Sequence, residues 1–281
     1  MFRNFVVIFV VLTPISFKKL NMKFNILFTF LVLTLAFTSC KKEVDDPITI
    51  SSSEVFKMAI DLNFGGDAFV LNDEYINATN YRVSFSNLKF YLGDISLIKS
   101  DGTKELLSEI ELYSVLDNNM SKNFTVPVGT YTGLEYSWGV PESLGGTDNP
   151  EFDPVVYGPD HPLNLNNSMY WTWNAGYRYS VVEGRYNIDA NGTDPLINTF
   201  SYHAGTQTLY RTTVLDLPIS LDGESSTTLN IDFDLSKLFF NDTETLDCDD
   251  PAENGLAGMN ANTLGLKYIE LFVGAVDHSL E

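Results

Sequence analysis

The sequence predicts an all-β protein, an antiparallel β-sandwich with long loops, with a barrel as the alternative closure. Three observations carry this. Apolar and polar residues alternate with a period of two in many short runs, Phe56, Met58, Ile60, Leu62 and Phe64 being the clearest set. The turn dipeptides Asp101-Gly102, Asn191-Gly192 and Asp222-Gly223 punctuate those runs and suit tight hairpins. Helical periodicity is confined to one or two turns around Leu235 to Phe240.

Taken in order, the predicted strands begin with Val55 to Phe64, whose alternation marks a half-buried strand. Tyr81 to Ile98 follows as two pieces broken near Gly93. Then come Ile110 to Leu116, Gly133 to Gly139, Met169 to Ile188, Asn198 to His203, Thr212 to Ile219, Thr227 to Phe233 and Gly265 to Val273. Pro141 to Asn167 is rich in Gly, Pro, Asp and Asn and reads as a long loop, a length that usually marks function or disorder. Residues 55–281 read as a single domain, since all-β units often run to roughly 200–250 residues.

The N-terminus reads as a targeting segment. Residues 1–39 carry Arg3, Lys18, Lys19 and Lys23, no acidic residue, and two apolar runs. The run from Ile26 to Phe37, behind Met22-Lys23, is short for a membrane span and ends in Thr38-Ser39-Cys40, the pattern of a lipoprotein signal. Met22 is then the expected start, with a long leader from Met1 as the alternative. Cleavage before Cys40 leaves a lipidated N-terminal cysteine, and residues 40–54, with Lys41-Lys42-Glu43 and Ser51-Ser52-Ser53, form a polar tether. The expected location is the outer membrane, facing the periplasm or the cell surface.

Loss of the leader removes four of the 17 basic residues and leaves 37 acidic ones, so the mature chain carries a net charge of −24. Nucleic acid is excluded as a partner on that balance. The acidity is spread over loops and reads as a solvated surface. With Cys40 lipidated, Cys248 has no partner for an internal disulfide; flanked by Asp247 and Asp249, its thiol is expected to be a bystander.

The chemistry-bearing residues concentrate between His161 and His203. Met169-Tyr170-Trp171-Thr172-Trp173-Asn174-Ala175-Gly176-Tyr177 holds two of the three tryptophans, and two of the three histidines flank it. On a strand, Met169, Trp171 and Trp173 share one face. Imidazoles beside a soft sulfur suit copper or zinc, although two histidines alone do not choose between them. His278 is expected to be a solvated tail residue. Asp189 to Asp194 offers alternating oxygens, but its glycine and terminal acid are misplaced for an EF-hand loop, so it reads as a hairpin turn.

His161-Pro162-Leu163, Met169 to Trp173 with Gly176-Tyr177, Glu183-Gly184 and Phe200-Ser201-Tyr202-His203-Ala204-Gly205 resemble the methanobactin-partner (MbnP-like) copper-binding proteins. Ser86 to Leu97 and Val126 to Tyr131 are also similar to that family, so the resemblance runs from about Val55 onward. It implies copper held by His161, His203 and a kynurenine made from Trp171 or Trp173. It also implies that a dihaem peroxidase-like enzyme oxidises the tryptophan, which makes this chain a carrier and not an enzyme. Two imidazoles sharing one metal must converge to within about 4 Å of each other, with more room before the metal binds.

No Gly-x-Ser-x-Gly elbow, phosphate loop or His-Glu-x-x-His is present, and neither is a Cys-x-x-Cys, a Met-rich stretch or a His-x-His pair. The competing reading is a surface lipoprotein without metal, binding glycan or protein, with Trp138, Trp171, Trp173 and tyrosines stacking on sugars. Exposed aromatics lining a groove would favour it.

Overall fold

The computed structural model describes residues 52–145, 153–172, 176–255 and 263–281. The expected leader 1–39, the expected lipidation site Cys40, most of the expected tether and Trp173 lie outside the described residues. In chain order the strands are β1 (Ser53–Phe64), β2 (Asp67–Ala68), β3 (Tyr75–Ile76), β4 (Arg82–Ile98), β5 (Lys104–Ser114), β6 (Ser121–Pro127), β7 (Gly129–Tyr131) and β8 (Gly133–Trp138). They continue with β9 (Tyr170–Thr172), β10 (Gly176–Tyr177), β11 (Ser180–Asn187), β12 (Asn198–Ala204), β13 (Arg211–Leu215), β14 (Ile219–Leu221), β15 (Thr227–Asp234) and β16 (Val276–Leu280). One α-helix is present among the described residues, α1 (Thr263–Val273).

The fold is all-β and sandwich-like. A five-stranded sheet runs β16-β15-β1-β2, with β6 also on β1; a seven-stranded sheet runs β12-β11-β4-β8-β13, with β3 and β5 also on β4. Alternation decides which side chains go between the sheets: Phe56, Met58 and Ile60 of β1 and Leu229, Ile231 and Phe233 of β15 meet Phe85, Leu88, Phe90 and Leu92 of β4 in one core. One pairing departs from the antiparallel expectation, because β1 and β15 run parallel, Phe56 opposite Thr227 through Asn63 opposite Asp234. These strands are far apart in sequence, so no hairpin constrains their direction.

The expected break near Gly93 is a bulge within the continuous strand β4. The pairing with β8 shifts between Gly93 and Ser96, and Asp94 takes the left-handed conformation at φ 51°. β5 begins at Lys104, ahead of the Ile110 start that the sequence predicts, and β6 and β16 lie outside the predicted strands. Asp101-Gly102 makes the tight turn between β4 and β5, Gly102 standing at φ 82°. Asn191-Gly192 instead lies inside a longer connection from β11 to β12. Arg82 holds that loop by donating from Nε to the carbonyl of Asp189 at 3.0 Å and from Nη2 to that of Asp194. A guanidinium on those carbonyls is the wrong charge for a calcium loop.

Gly265 to Val273 is helical and not a strand. Gly265, Tyr268, Ile269, Leu271 and Phe272 are the buried positions, one stripe at a period near 3.6. A short run dense in aromatic and aliphatic residues satisfies either period, and here the register against the core selects the helix: Phe272 meets Trp138 and Phe233 edge to face, with ring centres 5.4 and 5.0 Å apart. His278 is no tail residue. It lies in β16, half-buried, with Nε2 2.7 Å from the hydroxyl of Tyr136.

The outer face of the seven-stranded sheet is covered as well. Tyr91, Ile110, Leu112 and Val181 on the sheet pack with Val140, Leu163, Met169, Tyr177 and Tyr179 in a second cluster, so the segment carrying the unusual residues folds down over that face. Tyr91 donates to the carbonyl of Pro162 at 2.9 Å and Tyr177 to that of Leu163 at 2.7 Å, which pins the His161 end of the segment.

Candidate metal centre

Three adjacent strands build the centre. In the antiparallel registers Glu183 of β11 faces Ser201 of β12 and Asn87 of β4, while Val181 faces His203. Residues two apart on a strand share a face, so Asn87, Glu183, Ser201 and His203 all project to the same side. The β11–β4 pairing shifts by one residue between Glu183 and Gly184. Gly184 permits that shift: a Cβ there would lie 2.2 Å from Phe200 and 2.3 Å from the carbonyl oxygen of Ser84.

His203 Nε2 lies 2.7 Å from Glu183 Oε1 and 3.1 Å from Ser201 Oγ. The other carboxylate oxygen, Oε2, accepts from Asn87 Nδ2 at 3.1 Å. The bond to His203 and then that to Asn87, with the nearby Arg178 charge adding to them, hold the Glu183 carboxyl below the usual carboxylate range.

The indole of Trp171 meets the imidazole of His203 edge to face at 6.1 Å between ring centres. Its own face is covered by the Arg178 guanidinium, 5.3 Å from the ring centre. Arg178 is held there by donating from Nη1 to the carbonyl of Ser168 at 2.7 Å. Of the two tryptophans proposed from sequence, Trp171 is therefore placed beside a histidine.

His161 sits elsewhere on the same face. Its ring stacks on Tyr157, with centres 4.0 Å apart and planes at 15°, and its Nδ1 accepts the backbone N–H of Leu163 at 3.1 Å. It borders a cleft of about 460 Å³ together with Glu109, Ile110, Glu111 and Leu112 of β5. Burial lowers its pKa, against an opposing pull from Glu109 and then Glu111. The strand order β12-β11-β4-β5 separates the strand of His203 from that of the His161 cleft by three spacings, about 14 Å. His161 and His203 do not converge in this structure. Among the described residues no group of three or more His, Cys, Asp or Glu side chains is arranged to hold a metal.

The donor set near His203 fits copper in part. Nδ1 of His203 has no partner among the described residues, and a neutral imidazole held at one nitrogen offers the other as a ligand. An intact indole has a single N–H and no lone pair to give. Cys248 is buried, and burial, followed by the charge of Asp247, pushes its thiol up to about 12.

Sugar stacking on Trp138 is ruled out, because that ring is 2 % exposed, wedged among Phe90, Phe233 and Phe272, with its Nε1 donating to Thr213 Oγ1. In the sequence Arg178 carries no signal, Asn87 stands only within the family-like run Ser86 to Leu97, and Glu183 stands only beside its glycine. The roles of Asn87 and Glu183 come from strand register, for which no local signal exists, and that of Arg178 from the link between β10 and β11.

A search of curated proteins found no match to this chain. Among solved structures, MbnP from Methylosinus trichosporium is similar at 14 % sequence identity and a TM-score of 0.49, with 81 % of this chain and 98 % of that one covered. The MbnP family model matches residues 53–257, from the first strand through the acidic loop that precedes α1, and the chain belongs to the MbnP family.

Proposed function

We propose that this chain is an exported, lipid-anchored copper carrier whose centre forms on His203 and Trp171. Family membership supports a copper-associated role in a methanobactin-related system. The observation that carries the assignment is the placement of Trp171 against an imidazole whose Nε2 is already held by a carboxylate. That arrangement leaves a nitrogen lone pair next to an aromatic ring.

Conversion of Trp171 to kynurenine would replace a donor-only indole with an aniline nitrogen and a carbonyl oxygen. Bound there, copper would supply the cargo that the carrier hands on. The oxidation is assigned to a partner enzyme of the dihaem peroxidase-like class. His161 is the proposed further ligand, and it joins only by giving up its stack on Tyr157 and the hydrogen bond from Leu163.

Protein isolated from the cells that make it should contain copper. The peptide from Met169 to Arg178 should include a species that has gained one oxygen and lost one carbon. Chain produced alone in a foreign host should lack that species. Native protein free of copper, with both tryptophans intact, would remove this reading.

A further inference from the structure

Building on the copper reading, we propose that Glu183 is a positioning residue for the centre: it accepts the Nε2 proton of His203, which fixes the tautomer and makes Nδ1 the atom offered to the metal. A neutral imidazole carries one N–H and one lone pair, and an ionised carboxylate can only accept. The 2.7 Å contact between Glu183 Oε1 and His203 Nε2 therefore places the proton on Nε2. Ser201 Oγ lies 3.1 Å from the same nitrogen and could donate to it. That would set a lone pair against the carboxylate, so the carboxylate decides the tautomer.

The carboxylate is itself anchored. Asn87 Nδ2 donates to Oε2 at 3.1 Å, and Ser86 Oγ donates to the Glu183 backbone carbonyl at 3.3 Å. A line of three side chains from three neighbouring strands thus ends in one aimed nitrogen. His161 provides the contrast. Its Nδ1 is occupied by the N–H of Leu163, which puts its proton on Nε2 and leaves it no lone pair to offer without rearrangement. Among the described residues, His203 alone combines a carboxylate on Nε2 with an unengaged Nδ1.

The test uses ¹⁵N-labelled protein from the cells that make it, as the parent and as Glu183→Ala and Glu183→Gln. Metal-free parent should show His203 as the Nε2–H tautomer in imidazole nitrogen spectra, and added Cu(I) should shift Nδ1. Glu183→Ala should give a tautomer mixture and bind Cu(I) about 10–100-fold more weakly in chelator competition, the usual loss for an outer partner of a metal-bound histidine. Glu183→Gln keeps an acceptor oxygen, and Asn87 Oδ1, now without a partner, can take the new amide N–H, so this variant should keep the tautomer and nearly all the affinity.

A His203 tautomer indifferent to Glu183→Ala, or copper bound through Nε2, would overturn the positioning role while leaving the copper reading intact. Parent protein that takes up no Cu(I) although Glu183 still sets the tautomer would instead overturn the copper reading, and with it Nδ1 as a donor.

Discussion

Trp171 and His203 stand edge to face with ring centres 6.1 Å apart, although they are 32 positions apart in the chain. The contact forms because β12 presents His203 on the outer sheet face and β9 lies across that face. If copper is held there, His203→Ala should weaken Cu(I) binding by well over tenfold, about 1.4 kcal/mol or more. His161→Ala should cost less. Chelator competition on the two purified variants measures the order, and the reverse order would move the centre to the His161 cleft.

Trp171 is expected to be the modified tryptophan. Trp171→Phe should abolish the oxidised species in the Met169 to Arg178 peptide, whereas Trp173→Phe should leave it. Mass spectrometry of both variants, made with the oxidising partner present, decides between the two rings. Persistence of the product in Trp171→Phe would assign the reaction to Trp173.

Anchoring is expected to depend on Cys40. Its replacement by serine should release the protein into the soluble fraction, checked by fractionation after a high-salt wash. A variant that stays with the membranes as firmly as its parent would refute lipidation.

Stability should fall on mild acidification. Burial lowers the pKa of His278, against a smaller pull from Asp277, so the folded state holds its proton less readily than the unfolded chain does. His161 is lowered in the same sense. Stability is then complete above the unfolded value of about 6.5 and declines as pH drops below it, because the unfolded state takes up more protons. His278→Asn should make that decline shallower without removing it, as read from urea midpoints between about pH 7 and pH 5.

The thiol of Cys248 should resist alkylation in the folded protein. With burial pushing its pKa to about 12, its thiolate fraction near pH 8 is lower by about a thousandfold than for an ordinary cysteine, so labelling should await denaturant. Rapid labelling under native conditions would show the Leu246 to Asp250 loop to be open.

The sequence by itself determined the class of fold, most strands, the long loop and the segment where unusual residues gather. Period-two alternation in Phe56 to Phe64 and the turn at Asp101-Gly102 are local properties, visible without knowing any partner strand. It also determined the faces: Glu183 lies two residues from Val181, and Ser201 lies two from His203. Only the tertiary structure decided which strands are neighbours and in what register. That relation placed Glu183 on His203, brought Trp171 to it, left His161 over β5 and ran β15 parallel to β1. The same kind of relation made Gly265 to Val273 a helix, because packing against Trp138 and Phe233 chose between two periods the run allowed. Pairing energy comes from contacts between residues far apart in the chain, and a slip of one residue would turn every one of these side chains to the other face.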